Sequence, residues 1–104
     1  MQKKILQIQK RIEIIKSELQ NIGEMRPGSI TRQYKNPKEK KGGFYQISYT
    51  HKMKSKTEYL RPEFLNDIKR QVRNYKKFKK LIDEWSSIAL EQSQLKIKIA
   101  KEKL

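Results

Sequence analysis

Residues 5–22 read ILQIQKRIEIIKSELQNI, and this stretch decides how the rest of the chain is interpreted. Its apolar residues recur at alternating spacings of three and four: Ile5, Ile8, Ile12, Ile15, Leu19 and Ile22. This a/d pattern over three heptads predicts a helix over residues 2–22 with one apolar stripe, ended by Gly23. Because a helix this short is not stable alone, a second helix is needed to cover the apolar stripe.

Residues 62–103 are predicted to form that second helix. Pro62 suits the first helical position, and no Gly or Pro follows it. Side chains at three- and four-residue spacing form its main seam: Phe78, Leu81, Trp85, Ile88, Gln92, Leu95 and Ile99. The pattern leaves open whether the first helix lies along the proximal or the distal half of the second.

The segment between the helices predicts a loop followed by a β-hairpin. Residues 24–43 combine prolines and glycines with basic residues, which is typical of a loop, and residues 29–32 within it are compatible with a short strand or turn. Alternation then predicts two strands within residues 44–60, with a turn centred near Met53. The resulting cross-strand pairs are Tyr49 with Thr57 and Ile47 with Tyr59, which build one aromatic face.

These elements predict a single α+β domain over residues 1–104. Two long helices form an antiparallel helical hairpin or coiled coil, and the basic loop and β-hairpin are inserted between them. Apolar residues outside the two seams, Leu6, Ile14, Leu90 and Ile97, stay uncovered in such a pair of helices. We therefore expect a homodimer through the helices.

The charge of the chain points to a polyanionic partner. Twenty-six Lys and Arg oppose eleven Asp and Glu, for a net charge of +15, and this self-repulsion opposes a compact fold. Phosphate backbones are the commonest counterpart of such a charge. The alternative interpretation is a set of solvated helix faces kept soluble by lysine.

Composition also excludes several classes of site. The chain has no cysteine and only one histidine, so it can form neither a disulfide nor a zinc site of its own residues. No apolar run approaches the ~20 residues that cross a bilayer, and the N-terminal residues lack the apolar core of a signal peptide. We expect a cytoplasmic protein with no membrane contact, no metal and no cofactor.

The basic residues fall into three groups, in the loop, at the hairpin tip and on the long helix. On the helix, Lys69, Arg73, Lys76 and Lys80 recur at spacings of four, three and four, so one face presents them as a ladder that can follow phosphates. The candidate nucleic-acid-binding residues are Arg26, Arg32, Lys35, Lys40, Lys41, Lys52, Lys54, Lys56, Lys69, Arg70, Arg73, Lys76, Lys77 and Lys80.

The hairpin offers a second way to contact nucleic acid. Short polar side chains on the outer face of a β-ribbon can enter a groove, and Gln can pair with adenine edges. The predicted outer face is Gln46, Ser48, Thr50, Lys56 and Glu58. These side chains are equally ordinary for an exposed strand. For catalysis there is no nucleophile with a partner base and no glycine-rich phosphate loop, so we expect no enzyme activity.

Four segments of the chain are informative together: RPGSITRQY at residues 26–34, GFYQISYT at 43–50, KSKTEYLRPE at 54–63 and VRNYKKFKKLIDEW at 72–85. They resemble a small bacterial family of unknown function whose members often occur beside transposases and other mobile-element genes. Members commonly carry a cysteine cluster where this chain has residues 35–43 without one. The resemblance implies a mobile-element context but no activity. The strand–turn–strand–helix order is also similar to the DNA-binding arm domains of tyrosine-type integrases, at the level of fold.

The function expected from the sequence is non-enzymatic nucleic-acid binding in a mobile element or phage. Phosphate contacts come from the basic loop, the hairpin tip and the helix ladder, and duplex DNA is favoured over RNA. The alternative is a coiled-coil adaptor that binds another protein, or a ribosome- or RNA-associated factor.

Overall fold

The computed structural model describes all 104 residues. In chain order the elements are α1 (Gln2–Gln20), β1 (Ser29–Asn36), β2 (Lys41–His51), β3 (Lys54–Leu60), a 3-10 turn (Pro62–Phe64) and α2 (Leu65–Glu102). The chain divides into a helical unit, Met1–Ile22 with Lys77–Leu104, and a sheet unit, Gly23–Lys76. No helix is both long and apolar enough to cross a membrane.

The predicted fold class is wrong. The structure has one N-terminal helix, a three-stranded antiparallel sheet and a long C-terminal helix, rather than a helical hairpin with an inserted β-hairpin. The largest difference lies in residues 24–43, predicted as a loop, which contain all of β1. Prolines and glycines suggested a loop, but they flank the strand instead of interrupting it. Between them, Ile30 and Tyr34 alternate with polar residues, which suits a strand.

In the helical unit, the apolar stripe of α1 is buried. Ile8, Ile12 and Ile15 are each at most 5% exposed, and Leu81 of α2 is also buried. The polar contacts join α1 to residues 84–92 of α2: Arg11 to Glu84, Gln9 to Gln92 and Lys4 to Glu91. The partner of α1 is therefore the distal half of α2, which settles the alternative that the spacing left open.

In the sheet unit, the strands follow the order β1-β2-β3, and both neighbouring pairs are antiparallel. The predicted pairing of the last two strands is wrong by one residue, since Ile47 lies opposite Glu58 and Tyr49 opposite Lys56. The turn is the cause. Its two central residues, Lys52 and Met53, form a two-residue connection between the paired His51 and Lys54, whereas the prediction centred the turn on Met53.

The two faces of the sheet differ in chemistry. The inner face carries Ile47 and Leu60, both buried, and the adjoining part of α2 buries Val72. The backbone N–H of Arg26 donates to the carbonyl of Gln71, which ties the segment before β1 to α2. We call the opposite side the outer face, and it consists of Ser29, Thr31, Gln33, Phe44, Gln46, Ser48, Thr50, Ser55, Thr57 and Tyr59.

Candidate nucleic-acid interface

The outer face is built from short polar side chains and contains no carboxylate. Its hydroxyl groups pair with one another across the strands, Ser48 with Thr57 and Thr50 with Ser55, each at 3.0 Å. Gln46 lies at its centre, opposite Thr31 on one side and Tyr59 on the other. Hydroxyl and amide groups held this way can donate to or accept from the edges of bases, and no negative charge opposes a polyanion here.

Two aromatic rings interrupt the polar surface at one end. Phe44 and Tyr59 lie with ring centroids 6.4 Å apart, and Tyr59 is 62% exposed. An open depression of about 410 Å³ lies beside them, lined also by Lys35, Gly42 and Gly43. An exposed apolar ring on a polar face can contact a thymine methyl group or stack on a base.

Lysines lie at both ends of the sheet. The turn between β1 and β2 carries Lys40, and Lys41 opens β2, where it pairs with Glu39 at 3.5 Å. The hairpin tip at the other end forms an open depression of about 270 Å³, lined by Tyr49, His51, Lys52, Lys54 and Lys56. The eleven residues of β2 separate these ends by roughly 33 Å at ~3.3 Å per residue.

The sheet unit has far more cations than its carboxylates can pair. It contains fourteen Lys and Arg against five Asp and Glu, a net charge of +9. Four of those carboxylates form ion pairs, with Arg26, Lys41, Arg61 and Arg70. The ten cations that form no ion pair are Arg32, Lys35, Lys38, Lys40, Lys52, Lys54, Lys56, Lys69, Arg73 and Lys76.

Two of the candidate nucleic-acid-binding residues, Arg26 and Arg70, form contacts within the protein. Arg26 pairs with Glu58 at 3.2 Å and lies over the ring of Tyr49, with its guanidinium carbon 5.1 Å from the centroid. The Tyr49 hydroxyl donates to Glu58 at 2.8 Å, and this bond, with Arg26, holds the pKa of Glu58 below its ordinary value. Arg70 pairs with Asp67 one helical turn earlier. Both cations therefore already have a carboxylate partner within the protein.

The structure does not bring all predicted cations to one surface. Lys69, Arg73 and Lys76 belong to α2, which contacts the inner side of the sheet where Lys69 approaches Tyr45, whereas the polar outer face points the other way. Lys77 and Lys80 lie in the helical unit and are exposed. The cations at the two ends of the sheet are the ones that flank the outer face: Lys35, Lys40, Lys41, Lys52 and Lys54. Lys56 also lines the depression at the hairpin tip, but it lies on the inner side of the sheet.

The outer face predicted from the sequence contains three of the ten observed residues, Gln46, Ser48 and Thr50, and misplaces two others. Thr31 and Gln33 lie within the predicted loop, and the one-residue shift moves Thr57 and Tyr59 outward. Lys56 and Glu58, predicted on the polar face, pair with Tyr49 and Ile47 on the inner side instead. The available signal was the alternation of residues 29–34, which matches that of residues 44–50.

Comparison of the chain with protein-family models, with curated proteins and with solved structures found no match. In residues 35–43, where the resemblance places a cysteine cluster, the structure has the end of β1, a turn and the beginning of β2. No group of three or more His, Cys, Asp or Glu side chains is arranged to hold a metal ion.

Proposed function

We propose that the sheet unit binds duplex DNA by placing its outer face in the major groove, as a non-enzymatic DNA-binding protein. The observation that carries the proposal is a sheet face with exposed hydroxyl and amide groups and no carboxylate, within a unit of charge +9. Three strands spaced ~4.8 Å apart are roughly 10 Å wide between the outer backbones, which compares with a major groove ~12 Å wide.

In this arrangement the base contacts and the phosphate contacts come from different residues. Gln46 and its polar neighbours face the base edges, and Phe44 offers an apolar surface to thymine methyl groups. The lysines at the two ends of the sheet contact the backbone, which fixes orientation without reading sequence. We also propose that the protein acts in a mobile element or phage, and the sequence resemblance is the only support for this part of the proposal.

The test is fluorescence anisotropy with short duplexes. If about six cations contact phosphates, log affinity should fall against log salt with a slope near −5. Duplex RNA of the same sequence should bind more weakly, because its deep, narrow major groove does not admit a sheet. Equal affinity for the two duplexes, or an affinity indifferent to salt, would contradict the proposal.

A charge-matched pair of variants locates the contacts. The double variant Lys52→Gln/Lys54→Gln removes two unpaired cations at the hairpin tip, so affinity and salt slope should both fall, the slope by about 2. The control Arg61→Gln/Arg70→Gln removes the same charge from cations already paired with Glu63 and Asp67, so the slope should change little. An equal loss of affinity and salt slope in both variants would mean that binding depends on total charge and not on cations at the hairpin tip.

A homodimer through the helices stays a prediction. The helical unit exposes four apolar side chains within its helices, Leu6, Ile14, Leu90 and Ile97, each at least 50% exposed. We expect light scattering at ~100 μM to give twice the mass of the 12.5 kDa chain. A monomer at that concentration would contradict the homodimer. It would favour the alternative function, in which these side chains bind another protein and the chain is an adaptor or an RNA-associated factor.

A further inference from the structure

Arg32 occupies a position on the inner side of the sheet that its neighbours define closely. Its guanidinium carbon lies 5.4 Å from the ring centroid of Tyr34, two residues along β1, and 5.6 Å from that of Tyr45, its cross-strand partner. The group lies over the backbone of Gly43, where an added Cβ would come within 2.9 Å of Arg32 Nη2. The missing side chain at residue 43 therefore makes room for the guanidinium.

A second cation reaches the same ring from α2. The Lys69 ammonium lies 6.0 Å from the Tyr45 centroid, and neither Lys69 nor Arg32 forms an ion pair. We call Arg32, Tyr45 and Lys69 the Tyr45 cluster. Two like charges beside one ring repel each other unless an anion lies nearby, although the ring face attracts each cation. The cluster thus holds two positive charges together without an acidic residue to neutralise them.

The chemistry of the cluster suits a phosphate diester. A guanidinium fixed by aromatic rings presents its N–H groups in a planar fork, which matches two phosphate oxygens, and an ammonium supplies a further charge. Lys76 follows Lys69 by seven residues, two helical turns, on the same stripe of α2 and is also exposed. It can contact a neighbouring phosphate along the same backbone.

We propose that the Tyr45 cluster binds a backbone phosphate of a second DNA segment, so that one sheet unit holds two duplexes. Tyr45 faces inward, whereas its neighbours Phe44 and Gln46 face outward, and successive side chains of a strand point to opposite faces. A duplex in contact with the outer face is therefore on the wrong side of the sheet for the cluster. This inference rests on the proposed function.

The test counts duplexes per chain, which dimerisation of the protein cannot mimic. Wild-type protein is titrated with a duplex of about 12 base pairs, roughly 40 Å long at ~3.4 Å per pair, and the mass of the saturated complex is measured by sedimentation. We expect two duplexes per chain. Arg32→Gln should reduce this to one, and Gly43→Ala should weaken binding of the second duplex, because the added Cβ makes the end of the Arg32 side chain move without removing its charge.

Two further variants keep the result interpretable. Arg61→Gln removes one positive charge from a cation paired with Glu63 and should still bind two duplexes. Lys69→Gln removes the other cation of the Tyr45 cluster and changes only an exposed helix residue. It replaces Arg32→Gln or Gly43→Ala in the test if circular dichroism shows that either variant melts at a lower temperature than the wild type. One duplex per wild-type chain, or two per chain in Arg32→Gln, overturns the inference and leaves the proposed function standing. No binding of any duplex overturns both.

Discussion

At the scale of single residues, the turn between β2 and β3 is under conformational strain. Lys52 and Met53 have φ angles of 51° and 65°, in the left-handed region, where a side chain costs roughly 1–2 kcal/mol per residue. Two-residue hairpin turns of this kind prefer Asn-Gly. Met53 is 99% exposed, so no packing within the fold offsets this cost.

Replacing the turn by its preferred residues should therefore stabilise the protein. We expect Lys52→Asn/Met53→Gly to raise the free energy of unfolding by about 1 kcal/mol and the melting temperature by roughly 4 °C or more. Thermal melts followed by circular dichroism measure the effect. The control Ser55→Gly places glycine inside β3, where φ is not positive, and should lower stability. A loss in the turn variant would contradict this account of the strain.

The role of a single residue was predictable from the sequence only where that role does not depend on which strands pair with each other. Arg32 was a candidate because of its charge, but its position over Gly43 and beside Tyr45 requires the alignment of two strands. The turn was unpredictable for a related reason, since Lys-Met carries none of the usual turn chemistry. Such positions are decided by the partner strand, which a local pattern does not identify.

At the scale of elements, the alternation of residues 44–60 predicted strands but not their register. The side-chain period of a strand is two, so a shift by one residue moves every side chain of β3 to the other face. Tyr59 is consequently exposed, whereas Ile47 on β2 is 1% exposed. The sequence allows only a short strand or turn at residues 29–32 rather than the whole of β1, because the flanking prolines and glycines indicate a loop and the alternation is short.

The register gives a direct prediction about stability. Ile47→Ala should cost about 2–5 kcal/mol, because it leaves a cavity in the inner face of the sheet. Tyr59→Ala should cost about 1 kcal/mol or less, since most of that side chain is in solvent. Urea unfolding of the two variants provides the comparison. Similar losses at both positions would indicate the register expected from the sequence.

At the scale of the whole molecule, eleven Asp and Glu oppose twenty-six Lys and Arg, and hydrogen bonds lower the pKa of two of these carboxyl groups. In the helical unit, Arg11 donates to both oxygens of Glu84 at 2.6 and 2.8 Å, which lowers the pKa of Glu84. In the sheet unit, the Tyr49 hydroxyl and Arg26 lower the pKa of Glu58. A carboxyl group whose pKa is lower in the folded state stabilises at neutral pH.

Stability should therefore fall as pH falls through the lowered pKa of these groups, since protonation removes the bonded form and adds positive charge to the chain. We expect the melting temperature to decrease between about pH 7 and about pH 3, and to decrease less in Glu84→Gln. Glu102→Gln removes a charge that forms no ion pair and should keep the wild-type decrease. An unchanged decrease in Glu84→Gln would mean that Glu84 does not contribute.

The outer face also bears on how such a protein can diverge. Its side chains are mostly exposed, and the buried residues of the sheet unit lie on the inner face and on α2. If the outer face contacts bases as proposed, exchanges among Ser, Thr and Gln on that face change which bases the sheet prefers while the fold keeps its stability. Under that proposal, descendants of this chain acquire new target sequences by single substitutions, without the compensating changes that a buried site requires.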